Sequence, residues 1–198
     1  MSQDPRTTSG LRIRFERAAG NLPRYTLHPG ELLPNPLVDP DLLHEFRVEE
    51  MSHRITESTP PIRAALSIGR GPVALIEQLA SCGGTPVYLH VGYSAQVDFA
   101  RYSETISALD RRDRIPPVAD SFAALFGRPY GGYRSVIEAV RCDDRTATVL
   151  AVETGSTVLM REMTMYDADG ISRHICWTHY RPDLTAIVAA TARSRRPA

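Results

Sequence analysis

The sequence predicts an α+β fold, an antiparallel sheet built from two helix-plus-hairpin units with the helices on one face. Three observations predict it. A short helix, a strand, a glycine-bearing turn and a returning strand occur in that order twice after Pro60. Proline interrupts the residues before Pro60 too often for a compact helical domain. The apolar runs, such as Val73 to Ile76 and Val87 to Leu89, are broken within a few residues, far short of the roughly 20 that cross a bilayer.

The elements follow in order. Residues 1–59 read as a proline-rich N-terminal extension, with prolines at 5, 23, 29, 34, 36 and 40 and the Pro60-Pro61 pair just beyond it. Within it only Asp41 to Val48 has a helical pattern, capped by Asp39 or Asp41, which is too little for a winged helix-turn-helix. Residues 60–190 read as one ligand-binding domain. Its first unit is a helix over Pro61 to Gly69, a strand over Pro72 to Leu79, a turn at Cys82-Gly83-Gly84-Thr85-Pro86 and a strand over Val87 to Tyr93. Its second is a helix over Arg145 to Val152 behind an Asp143-Asp144 cap, a strand over Thr157 to Met165, a turn at Asp167 to Gly170 and a strand over Ile171 to Tyr180. Helices over Asp98 to Leu109 and Asp120 to Phe126, and a strand over Tyr133 to Cys142, lie between them. The polar, proline-stiffened segment Arg111 to Pro117 is expected to be a mobile loop, of the kind that can serve as a lid in a binding domain. Residues 191–198 form a basic tail with Arg193, Arg195 and Arg196, read as a solvated terminus.

Composition removes several chemistries. The 23 acidic residues balance 23 basic ones, and every basic residue is arginine. Without lysine there is no pyridoxal phosphate Schiff base and no P-loop lysine. A net charge of zero gives no protein-wide field for nucleic acid. The three cysteines, Cys82, Cys142 and Cys176, have neither CxxC spacing nor a disulfide framework. No secretion signal opens the chain, which is therefore expected in the cytoplasm. No motif calls for a cofactor or a metal. Asp167-Ala168-Asp169-Gly170 is too short for a calcium loop and reads as a turn.

The second unit, Gly155 to Gly170 followed by His174 to Asp183 with Tyr180-Arg181-Pro182-Asp183, resembles the closing signature of UTRA domains. These are the effector-binding domains of GntR-type regulators of the HutC subfamily, and they share their fold with chorismate lyase. The first unit, with Gly71, Glu77, Gly84, Pro86 and Tyr93, is similar to their opening hairpin, and Ser121 to Leu125 matches between the two. The resemblance spans Pro60 to Val188 and implies a chorismate lyase-like sheet that holds a small molecule under a covering segment. It also implies a homodimer. Gln78 and Ala80 stand where many UTRA domains place arginines for an anionic effector, and His90 and His174 stand where glutamates are usual. The DNA-reading module that precedes UTRA in a regulator is not legible here, so no direct DNA binding and no membrane association are expected.

Alternation along the strands gathers candidates. Tyr88, His90 and Gly92 share one face of their strand, and Ser172, His174, Cys176, Thr178 and Tyr180 share one face of theirs. His90 and His174 fall at matching positions of the repeated unit. The ligand-binding candidates are Tyr88, His90, Tyr93, Arg134, His174, Cys176 and Tyr180. Neutral imidazoles there can hydrogen-bond an effector, act as acid and base, or hold a metal with Cys176, the last use having no chelate spacing behind it. Arg161 and Arg173 have the other parity and read as ion-pairing surface residues, and Trp177 reads as core. Two functions follow. One is effector binding without a helix-turn-helix. The other is a biosynthetic enzyme of lyase or cyclase/isomerase type, with His174 as acid or base, His90 as its partner and Tyr88 or Tyr180 as donors.

Overall fold

A computed structural model describes residues 25–27, 35–36, 46–95, 100, 104 and 118–187. The strands are β1 (Tyr25–Leu27), β2 (Asn35–Pro36), β3 (Phe46–Glu57), β4 (Pro72–Cys82), β5 (Thr85–Ser94), β6 (Tyr130–Arg141), β7 (Thr157–Asp167), β8 (Ser172–Tyr180) and β9 (Thr185–Ile187). The helices are α1 (Pro60–Leu66), α2 (Val118–Phe126) and α3 (Asp144–Leu150). Six strands form one antiparallel sheet in the order β3-β4-β5-β8-β7-β6, and β2-β1-β9 form a second, smaller sheet. The α+β class and the antiparallel sheet are as expected. The proposed helix over Asp98 to Leu109 is described only at Ala100 and Glu104, both helical, and the segment Arg111 to Pro117 and the basic tail lie outside the described residues.

One element was misread. Phe46, Arg47 and Val48 are not the end of a helix but the start of the 12-residue strand β3, which pairs along its length with β4. Each repeat unit is therefore strand, helix and hairpin: β3-α1-β4-β5 and β6-α3-β7-β8. The register extends the correspondence, since Glu57 faces Pro72 as Arg141 faces Thr157, and Ala74 faces Ser94 as Leu159 faces Tyr180.

The repeat helices owe their ends to local chemistry. Asp143 caps α3 by accepting hydrogen bonds from the backbone N–H and the hydroxyl of Thr146, both at 2.9 Å. At α1, Pro60 and Pro61 occupy the first turn, where a missing N–H is harmless. Both helices stop at a left-handed residue that is not glycine, Ser67 at φ 53° and Ala151 at φ 52°. In the β7-β8 hairpin, the Asp167 carboxylate accepts from the backbone N–H of Asp169 and of Ile171 and from the Arg173 guanidinium at 2.7 Å. Burial works against ionisation of Asp167, but those donors outweigh it and hold its carboxyl below the ordinary range.

Helices α1 and α3 pack on the same face of the sheet. Ile62 and Leu66 meet Val73 and Ile175, while Ala147 and Leu150 meet Leu89 and Val158. Helix α2 lies on the opposite face, with Phe122 against Met163, Met165 and Cys176. The sheet is thus sandwiched, and the α2 side carries the polar row.

Candidate functional site

The site sits where the two units meet, on the central strands β5 and β8. In an antiparallel pair, directly opposed residues share a face. Register sets Tyr88 opposite Tyr180, His90 opposite Thr178, Gly92 opposite Cys176 and Ser94 opposite His174. These rows continue outward, Thr178 facing Arg161, Cys176 facing Met163 and His174 facing Met165 on β7. On the other flank Gln78 faces His90 from β4.

All of this polar set is buried, with Arg161, Thr178, Cys176 and Ser94 fully so. The two imidazoles stack at 6.2 Å between centroids and 10° between planes. His90 Nδ1 shares a hydrogen bond of 2.9 Å with the Thr178 hydroxyl, and His174 Nδ1 shares one of 2.8 Å with the Ser94 hydroxyl. With Nδ1 engaged on each ring, the Nε2 edges are left to face Gly92. A β-carbon there would stand 3.1 Å from Nε2 of both histidines. Donor atoms of His90, His174 and Cys176 all lie within 4.8 Å of one another.

Burial dominates the electrostatics. It lowers His90 to about 3, helped by neighbouring His174 and by the Arg161 charge, and lowers His174 to about 4. Both rings are neutral at physiological pH. Burial pushes the Cys176 thiol up to about 11 and the Tyr180 phenol up to about 12, against a smaller opposing pull from Arg161. The Arg161 guanidinium carbon stands 6.0 Å from the Tyr180 ring centroid, so the one cation of the row lies beside an aromatic face.

Of the sequence candidates, Tyr88, His90, His174, Cys176 and Tyr180 come together on this face. Tyr93 and Arg134 do not. Tyr93 packs edge-on against Trp177 on the α1 side, and Arg134 is an exposed residue of edge strand β6, 3.6 Å from Glu162. Three further expectations are corrected. Arg161 is a buried member of the row, not a surface residue, because register rather than sequence parity decides which residues of adjacent strands share a face. Ser172 leaves the row. The bulge between Met165 and Tyr166 turns it over, and its hydroxyl donates to the Ala65 carbonyl of α1. The two histidines are not equivalent either, since the paired strands make His90 the counterpart of Cys176 and Tyr88 that of His174. Arg173 does form an ion pair, with Asp167, but one of low exposure. The sequence reading missed Ser94, which continues the alternation His90, Gly92, Ser94 by one step past the expected strand end.

A family model described as UTRA domain matches residues 42–185. Similar solved structures include the ligand-binding domain of a putative GntR-family transcriptional regulator from Bordetella bronchiseptica. It is 19% identical, with 71% of this chain and 86% of that one covered at a TM-score of 0.57. A putative transcriptional regulator from Streptomyces coelicolor is 22% identical, with coverage of 69% and 86% and a TM-score of 0.56. The effector domain of PhnF from Mycobacterium smegmatis is 14% identical, with coverage of 85% and 98% and a TM-score of 0.60. At these identities the structures bear on the fold alone. No curated protein matches the chain.

Proposed function

The chain belongs to the UTRA domain family, and on that footing we propose that it binds a small-molecule effector on the α2 face of the sheet, at His90, His174, Thr178, Arg161 and Gln78. The observation that carries this reading is the buried polar row across β4, β5, β8 and β7, the region between sheet and α2. Buried polar groups are costly unless they have partners, so a site that gathers this many in one row is suited to polar recognition. The match to the UTRA domain family over residues 42–185 supports the same reading. Arg161 gives the site a positive pole that suits a carboxylate or phosphate on the ligand.

Neutral histidines favour binding over acid–base catalysis. A general acid or base works best with a pKa near the operating pH, and these lie near 3 and 4. Native mass spectrometry of the full chain purified from its own host should show a retained small molecule, lost in Thr178→Val and Arg161→Met. A molecule retained equally by both variants would move the binding site elsewhere. The enzymatic reading makes the opposite demand, that a chemical turnover be found and then disappear in His174→Ala with the fold intact.

The protein acts as a sensor that does not read DNA by itself, and it works in the cytoplasm as a homodimer. Among the described residues no helix is long and apolar enough to cross a membrane. Supporting self-association, the edge strands expose Met51 and Ile55 on β3 and Tyr133 and Ile137 on β6, apolar edges that a second copy would cover. Light scattering after gel filtration should return twice the mass of 21.9 kDa. A monomer mass, or a shifted promoter fragment at physiological salt, would overturn the respective parts.

A further inference from the structure

We propose that His90, His174 and Cys176 form a mononuclear site for a first-row transition metal of borderline softness, Zn(II) in the first instance, with a coordination position left open. The proposal does not depend on an effector. Its ground is geometric: three buried residues of the types that bind such ions, from two neighbouring strands, bring their donor atoms within 4.8 Å of one another. Imidazole nitrogen and thiolate sulfur together suit zinc and its neighbours, whereas oxygen-rich clusters suit magnesium or calcium.

Two details fit a metal better than a structural core. Each histidine has Nδ1 engaged by a hydroxyl, Thr178 for His90 and Ser94 for His174, at 2.9 Å and 2.8 Å. Metal-binding histidines are typically held this way, the second ring nitrogen fixed by a hydrogen bond that sets tautomer and orientation. Then there is Gly92, opposite Cys176 on the paired strand. Any side chain there would press into both Nε2 edges, at 2.6 Å from Cε1 of His174. The absent side chain is what lets the two rings approach.

Three protein ligands are one short of a closed tetrahedral site, the arrangement that leaves room for an exogenous ligand. On loading, the Cys176 thiol loses its proton to solvent as the sulfur–metal bond forms, one proton per ion. The resulting thiolate offsets part of the dication's charge beside Arg161.

Cobalt(II) is the probe. The metal-free full chain is titrated with Co(II) anaerobically and also refolded in its presence, so that burial does not bar entry. The result expected is one ion per chain with a thiolate-to-cobalt charge-transfer band, abolished by excess Zn(II). The band persists in C82S/C142A, which leaves Cys176 as the chain's single cysteine, and disappears in Cys176→Ser. Because the double variant assigns the sulfur by itself, the test holds even if Cys176→Ser folds poorly. Thr178→Val and Ser94→Ala should weaken affinity by about 10–100-fold with the fold unchanged by circular dichroism. No band in the wild type after refolding, or no band in C82S/C142A, overturns the proposal. Neither outcome bears on effector binding, which is read with organic ligand and no metal.

Discussion

A methyl group at Gly92 would stand 2.6 Å from Cε1 of His174 and 3.1 Å from Nε2 of His90, both rings being buried and hydrogen-bonded. Gly92→Ala should therefore displace the imidazoles, lower stability by about 1–3 kcal/mol as overpacking does, and erase the cobalt band. A urea midpoint equal to wild type would show that the rings are not held as described. The histidines also make stability depend on pH. In the metal-free chain they ionise only near 3 and 4, while in the unfolded chain they ionise near 6.5. The unfolded state thus binds more protons below pH 6.5, and stability falls as pH drops from there toward 4. Arg161 reinforces the trend at His90. The urea midpoint should be lower at pH 5 than at pH 7, and the difference should shrink in His90→Gln/His174→Gln. His90, His174 and Cys176 were legible in the sequence as alternating polar positions. Arg161 and Ser94 were not, since the first needs the β7-β8 register and the second the true end of β5.

The starts of the repeat helices were legible because their punctuation is local, in the Asp143 cap and the prolines opening α1. Their C-terminal ends invite a gain. Ala151 holds a left-handed φ of 52°, which costs a residue with a β-carbon roughly 1 kcal/mol or more. Ala151→Gly should raise stability by about 0.5–1 kcal/mol, the unfolded chain's added freedom offsetting the rest. Asp143→Ala should lower it by about 1 kcal/mol. Thermal melts of the two variants should move in opposite directions, and a drop in both would mean that Ala151 has packing that outweighs its backbone strain. Strand β3 was misread for a physical reason. It is a largely exposed edge whose alternation breaks at the irregularity between Glu50 and Ser52, so no clean period of two marks it.

The six-stranded sheet joins both repeat units through the single seam of β5 and β8, so neither unit completes its core alone. Ile175 of the second unit packs with α1 of the first, and Leu89 of the first with α3 of the second. Unfolding should accordingly be one cooperative step. The fluorescence of Trp177, the chain's one tryptophan, and far-ultraviolet circular dichroism should give coincident urea curves. Separated transitions would mean that the units melt independently. The repeated order of helix, strand, turn and strand, the antiparallel class and the polar alternation on β5 and β8 were determined by the sequence, because caps, turns and strand periods act within a few residues. Which strands pair, which face each row occupies, and that non-equivalent residues of the two units meet over Gly92 were decided only by the tertiary structure. Register across the β5-β8 seam brings together residues eighty or more positions apart, and no local pattern in the chain encodes that register.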